Sequence, residues 1–556
     1  MGLSVPGLAA TVIFYVLIVV VGFWGARRKQ ARAACVHRSE DLMLGGRSVS
    51  LVVGVFTVIA TWVDGGLLSG IVEETAIRGV LWCQAPVGFA LSLLVAAAFF
   101  SGPMWRAGHV TLLDPLEQAF GSRITALLFL PALMGEVFWC GAILNALGAT
   151  ISVITGLGHV TCVIVTASVV TLYTCVGGLH SITYTDVLQL LLMFFGLWVC
   201  VPFALGNEHV RPLSSLPPGE WLGTVLPWQV PRYVDNFLMI IFGGMPWQNL
   251  FQRVLSVKTE FRAKALPYAG CLGTLVLSVP VLLLGLVGRA ARWRETAYTG
   301  AGGIKVSPLD DESQWSLLLP LTLQHLTPAS VSFLGQGAVA AAAMSSADAC
   351  MLSTGALFTK NVYVPLLRPE DCLAMWVLRS SIVATAFLSS VVAVTVDSVY
   401  GMCLLMGDLV YVVLFPQLLA VVHFPSLCNA YGSLAALVVG FGLRVVGGEP
   451  MLGLPALLHY PFFDGAEQRQ LFPLKTAAML ASLATLVLTS AAAEAALRLS
   501  LLPPGYRLLW RQFMVAATDN VDQGERTGDT NLSGQAGFVD CTSCSPSSQP
   551  QAFSRV

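Results

Sequence analysis

Apolar residues in this chain come in long unbroken runs, not at the spacing of an amphipathic helix or a half-buried strand. Windows of about twenty residues with few charges give about thirteen candidate membrane spans, each long enough for the hydrocarbon core of a bilayer. They cover residues 7–26, 49–71, 80–100, 124–155, 159–176, 181–205, 234–255, 267–287, 330–358, 373–394, 399–422, 430–446 and 476–497. The pattern predicts an all-α membrane protein with a polytopic region over residues 1–502. Residues 503–556 are rich in Ser, Gly, Asp and Gln and read as a disordered cytoplasmic tail.

Two of the spans are interrupted at depth. One contains Phe56-Thr57-Val58-Ile59-Ala60-Thr61-Trp62-Val63-Asp64-Gly65-Gly66, and another contains Gly243-Gly244-Met245-Pro246-Trp247. Glycine and proline free backbone carbonyls from the helix, and such carbonyls are tolerated in a membrane where they line a cavity or face an ion. A pair of broken spans in separate halves of a chain points to the binding site of a secondary transporter. An ionisable residue at membrane depth, such as Asp64, is costly and needs a reason: its carboxylate either caps freed backbone N–H groups or attracts the positive charge of a substrate or sodium.

Charge then orients the spans. Only 11% of the 556 residues are charged and 56% are hydrophobic, which excludes an ordinary soluble fold. The net charge of −1 gives no footprint for a nucleic acid. The first span is followed by Arg27, Arg28, Lys29 and Arg32, so it reads as a retained helix and not as a signal peptide. Loops assigned inside carry Arg47, Arg106, Arg123, Arg253, Lys258, Arg262, Lys264, Lys360 and Arg368. Loops assigned outside carry Glu73, Glu74, Asp310, Asp311 and Glu312, though also Arg289, Arg292 and Arg294. The bias places the N-terminus outside and the C-terminus inside. The last residues, Phe553-Ser554-Arg555-Val556, match the form of a PDZ-domain ligand.

The polar positions inside the spans are the candidate chemistry. Met344-Ser345-Ser346-Ala347-Asp348 lies in a helix of small residues. Small residues alone mean close helix packing. Paired hydroxyls with an acid three residues after the first also suit sodium, a hard cation that takes about five or six oxygen ligands. Asp186 opens a span, where it either caps a helix or lines the inner exit of a cation. Trp62, Trp139 and Trp247 lie on three spans, two of them at the helix breaks, and Glu136 precedes Trp139 by one turn. Tryptophans in spans commonly serve as packing or as interface anchors, but a ring of them also holds a quaternary ammonium ion. No nucleophile–base pair or metal cluster is legible, so an enzyme is not expected.

The run Gly177-Gly178-Leu179-His180-Ser181-Ile182-Thr183-Tyr184-Thr185-Asp186-Val187-Leu188-Gln189, taken with Ser345-Ser346, resembles the sodium/solute symporter family. Gln84-Ala85-Pro86, Phe251-Gln252-Arg253-Val254-Leu255-Ser256, Asp408-Leu409-Val410-Tyr411 and Phe415-Pro416-Gln417-Leu418-Leu419 are similar to its choline-transporting branch. The resemblance covers residues 7–504. It implies a LeuT-type 5+5 inverted repeat and sodium-driven, chloride-dependent choline uptake across the plasma membrane, supplying choline for acetylcholine synthesis. Synaptic-vesicle or endosomal membranes are the other location it suggests. Trp62, Trp139 and Trp247 would then form the substrate cage, with Phe89 where the branch has a tyrosine. Ala60, Val63 and Ala342 would offer carbonyls to sodium, and Ser345 and Ser346 hydroxyls. Asp64, Glu136, Asp186 and Asp348 remain as candidate ion-pathway residues or modulators. The chain departs from the branch at Asp64, which replaces a glycine, at Leu67 and Ser69, and at Met402-Cys403-Leu404. These departures keep open a transporter of another amine or quaternary ammonium compound, or a substrate sensor that does not transport.

Overall fold

A computed structural model describes residues 49–300, 305–367, 371–465 and 469–499, with single residues 13, 16 and 47, and no side chains for 176–184, 371, 372 and 469. The first predicted span and the tail, with its PDZ-type end, therefore lie outside the described residues. What is described is mostly helical, and its one strand pair among the described residues is a two-residue antiparallel hairpin of Phe463–Asp464 with Arg469–Gln470.

The first broken span is α1 (Leu51–Trp62) and α2 (Gly65–Arg78), bent by 47°. Ser50 starts α1 by accepting from the Val53 amide, and Val63 and Asp64 carry non-helical backbone between the two halves. Then come α3 (Ala85–Val95), α4 (Ser122–Thr155) and α5 (His159–Leu205). The second broken span is α6 (Val230–Gly243) and α7 (Gln248–Leu255), separated by the Gly244-Met245-Pro246-Trp247 segment that the sequence marks as a break. Five more long elements follow: α8 (Glu260–Ala290), α9 (Ala329–Phe358), α10 (Asp371–Thr395), α11 (Val399–Leu409) and α12 (Ala430–Val446). The last is α13 (Leu474–Arg498).

Seven of the described helices are long and apolar enough to cross a membrane, or eight if the bent pair counts as one span. The chain is a multi-pass membrane protein. Large apolar side chains on the outer helices, such as Leu172, Phe195, Phe387 and Leu488, are exposed as lipid-facing residues would be. The count of thirteen spans is not reproduced. Part of the shortfall is in α5, where the expected spans 159–176 and 181–205 join as one helical element of 47 residues. Within it Thr185–Leu205 is long and apolar enough to cross a membrane, while His159–Cys175 is a shorter apolar helix.

The core is organised round α9. Its residues are buried without interruption from Gly335 to Leu357, because Ala, Gly and Ser let neighbouring backbones approach on every side. Gly65 at the start of α2 uses that closeness: a Cβ there would lie 2.4 Å from the Ala343 Cβ. Farther along, Arg444 of α12 is buried and pairs with Asp408 of α11 at 2.5 Å and with Glu449 at 2.5 Å, which locks the two helices together.

Asn429 caps α12 by accepting from the Tyr431 and Gly432 amides, and its side-chain amide reaches the Ser490 carbonyl of α13 at 3.0 Å. Asn429→Ala removes the cap and the link together. It is expected to cost about 1 kcal/mol, the usual value of an N-cap, read as a slightly lower thermal midpoint of the detergent-purified protein.

Candidate functional site

The break between α1 and α2 opens a cavity lined by Trp62, Asp64, Leu67, Phe89, Trp139, Trp247, Cys403 and Met406, enclosing about 310 Å³ with its mouth included. Each helix brings its part for a local reason. Trp62 is the last residue of α1, Trp139 stands mid-way along α4, and Trp247 lies in the non-helical gap before α7. The rings meet edge to face. Trp62 and Trp139 have centroids 6.1 Å apart at 72°, and Trp139 and Trp247 are 5.1 Å apart at 76°. Aromatic rings prefer this geometry, because the positive edge of one meets the negative face of the next.

Asp64 occupies the hinge. Its Oδ1 accepts from the Leu67 amide at 2.5 Å, so it is the N-cap of α2, and its Oδ2 accepts from the indole Nε1 of Trp139. The positive end of α2 favours a negative charge at this place. Trp247 Nε1 donates to the Gly243 carbonyl at 2.9 Å. The indole N–H of Trp62 has no acceptor among the described residues.

A second set of polar groups lies where α1 crosses α9. Ala60, Val63, Ala342, Ser345 and Ser346 are all buried. Ser346 Oγ donates to the Ala60 carbonyl at 3.3 Å, so a hydroxyl of α9 and a carbonyl of the α1 end face each other. Ser345 Oγ instead donates to Asp186 Oδ1. Asp186 does not cap a helix start. It is buried within α5 and is paired through Oδ2 with Arg253 Nη2 at 3.6 Å. Asp348 accepts from the Tyr173 hydroxyl.

Glu136 is not part of the cavity lining. Its carboxylate turns to α9 and α7, accepting from Ser353 Oγ at 3.2 Å, from Cys350 Sγ at 2.9 Å and from Asn249 Nδ2 at 3.4 Å. One turn along α4 thus separates two different environments.

Three charges assigned to loops are buried in helices. Arg253 belongs to α7, and Glu73 and Glu74 to α2. Glu73 accepts from Ser398 Oγ at 2.5 Å and from the Val399 and Tyr400 amides at 3.0 and 3.4 Å, which caps α11 from the side. The available signal was that all three lie inside or at the edge of apolar runs, where a charge needs a partner. Met406 was also missed. It lies one turn after Cys403, so the helical repeat from that position would have found it.

A family model described as the sodium:solute symporter family matches residues 42–440. The High-affinity choline transporter 1 of Drosophila melanogaster is 45% identical over 535 residues, covering 96% of this chain and 85% of that protein. The human High affinity choline transporter 1 is 42% identical over 516 residues, covering 91% and 88%. Among solved structures, a Na+-coupled sialic acid symporter in a substrate-bound, outward-open state superposes with a TM-score of 0.68 at 16% identity, covering 88% of this chain and 98% of that one. At that identity the likeness is one of fold.

Proposed function

Because this chain belongs to the sodium:solute symporter family, we propose that it is a symporter that carries choline into the cell on the sodium gradient. It is a transporter and not an enzyme. The observation that carries the reading is the cavity of three edge-to-face tryptophans at a broken helix, in a chain whose relatives are named as choline transporters. A trimethylammonium group offers no hydrogen-bond donor, so a site must replace its hydration with diffuse negative charge. Aromatic faces supply that, at about 0.5–2 kcal/mol per ring.

Sodium would bind where α1 and α9 cross, using the carbonyls of Ala60, Val63 and Ala342 and the hydroxyls of Ser345 and Ser346. The nearness of Ser346 Oγ to the Ala60 carbonyl supports this placement. Because one broken helix supplies both a cage ring and the sodium carbonyls, filling either site favours the backbone arrangement the other needs. Coupling by this route is reciprocal. Chloride dependence, plasma-membrane location, a LeuT-type 5+5 repeat and a supply role for acetylcholine synthesis belong to the same proposal.

Radiolabelled choline uptake into cells, with sodium and chloride replaced one at a time, tests it. Uptake that needs sodium supports the reading. Binding without sodium-dependent uptake favours a sensor. Uptake unaffected by chloride replacement removes chloride from the scheme.

A further inference from the structure

We infer that Asp64 turns the aromatic cavity into a site that prefers protonated amines bearing an N–H over fully quaternised ammonium ions. The inference rests on the cavity binding an organic cation and concerns which cation it selects. A purely aromatic cage favours a quaternary group, because any N–H brought into it would be desolvated without an acceptor, at a cost of about 1–3 kcal/mol. This cavity is not purely aromatic. Asp64 lines it together with the three tryptophans, and the other lining groups are Leu67, Phe89, Cys403 and Met406.

The carboxylate is buried, at 2% exposure, and fixed in place. Leu67 holds one oxygen and Trp139 the other. The Gly66 amide is a third donor to this carboxylate, and since a carboxylate has about four acceptor positions, capacity remains for one ligand N–H. An ammonium N–H directed at Asp64 makes a charge-assisted hydrogen bond in a site shielded from water. A quaternary nitrogen can approach no closer than its methyl groups allow and gains only the longer-range attraction. The unpaired indole N–H of Trp62, whose side chain is 6% exposed, adds a donor that suits the oxygen of an amino alcohol.

Choline and N,N-dimethylethanolamine test this directly, because they differ by one methyl group exchanged for one proton. The amine is protonated at neutral pH. Titration calorimetry of the detergent-purified full chain in sodium chloride gives both affinities and hence their ratio. The wild type is expected to bind the tertiary amine at least fivefold more tightly. In Asp64→Asn, which keeps a helix cap, and in Asp64→Gly, which has no side chain, the ratio is expected to fall below one. A ratio cancels a general loss of folded protein, so a weakened variant remains readable. A wild type that prefers choline overturns the inference and leaves the cage reading standing, as does an unchanged ratio in both variants. A wild type that binds neither compound sinks both.

Discussion

Trp139→Ala is expected to lower choline affinity roughly a hundredfold, more than the same change at Trp62 or Trp247. The reason is its position. Trp139 packs edge to face on both other rings and also donates to Asp64. Its removal deletes one cation–π face, worth about 2 kcal/mol when desolvated. It also loosens two ring pairs worth about 0.5–1.5 kcal/mol each. A hundredfold corresponds to about 2.8 kcal/mol, just under the roughly 3–5 kcal/mol to which these terms add. Trp139→Phe restores a ring but not the indole N–H, so it is expected to recover part of the loss. Binding of radiolabelled choline at equal surface expression decides it. Unchanged affinity in all three Ala variants would remove the cage from the proposal.

Ser346→Ala is expected to raise the sodium concentration for half-maximal uptake about tenfold. One ligand oxygen to a cation is lost, and a charge-assisted contact is worth about 1.5–3 kcal/mol, of which tenfold needs 1.4. The helix itself is spared, because Ala is the best helix former. Ser345→Ala should act in the same direction but tests more than one contact, since that hydroxyl also holds Asp186. Linkage then requires choline affinity to fall at low sodium and to recover at high sodium. An unaltered sodium half-saturation in both variants would move the ion elsewhere.

Much of the helical layout could be read from the chain, because apolar length and Gly–Pro interruption are local properties. The break at residues 62–65 and the gap at 244–247 follow from residues adjacent in sequence. The wall of the cavity was less accessible. Tryptophans could be named singly, but their edge-to-face order depends on how α1, α4 and the gap before α7 come together. The bond from Trp139 to Asp64 joins positions 75 apart, and that from Glu73 to Ser398 joins positions 325 apart. No periodicity reports such pairs. Arg253 misled for a related reason: an arginine near a helix end looks like an inside anchor until a partner such as Asp186 is found. The expected spans 159–176 and 181–205 run together in α5, because glycine, as at Gly177-Gly178, permits a turn without forcing one.

Cys403 gives the cavity a built-in optical handle. Cys403 lines the cavity beside the rings, whereas Cys140, Cys200, Cys350 and Cys428, buried as Cys403 is, lie outside the lining. A small thiol-reactive fluorophore that enters the empty cavity would tag Cys403, and a bound ligand would shield it. The portion of labelling lost in Cys403→Ala identifies that thiol's share. The rate at which that share is tagged, followed against added sodium and substrate, becomes a clock for occupancy. Such a clock runs in the resting protein, without flux across any membrane, and so separates binding from movement.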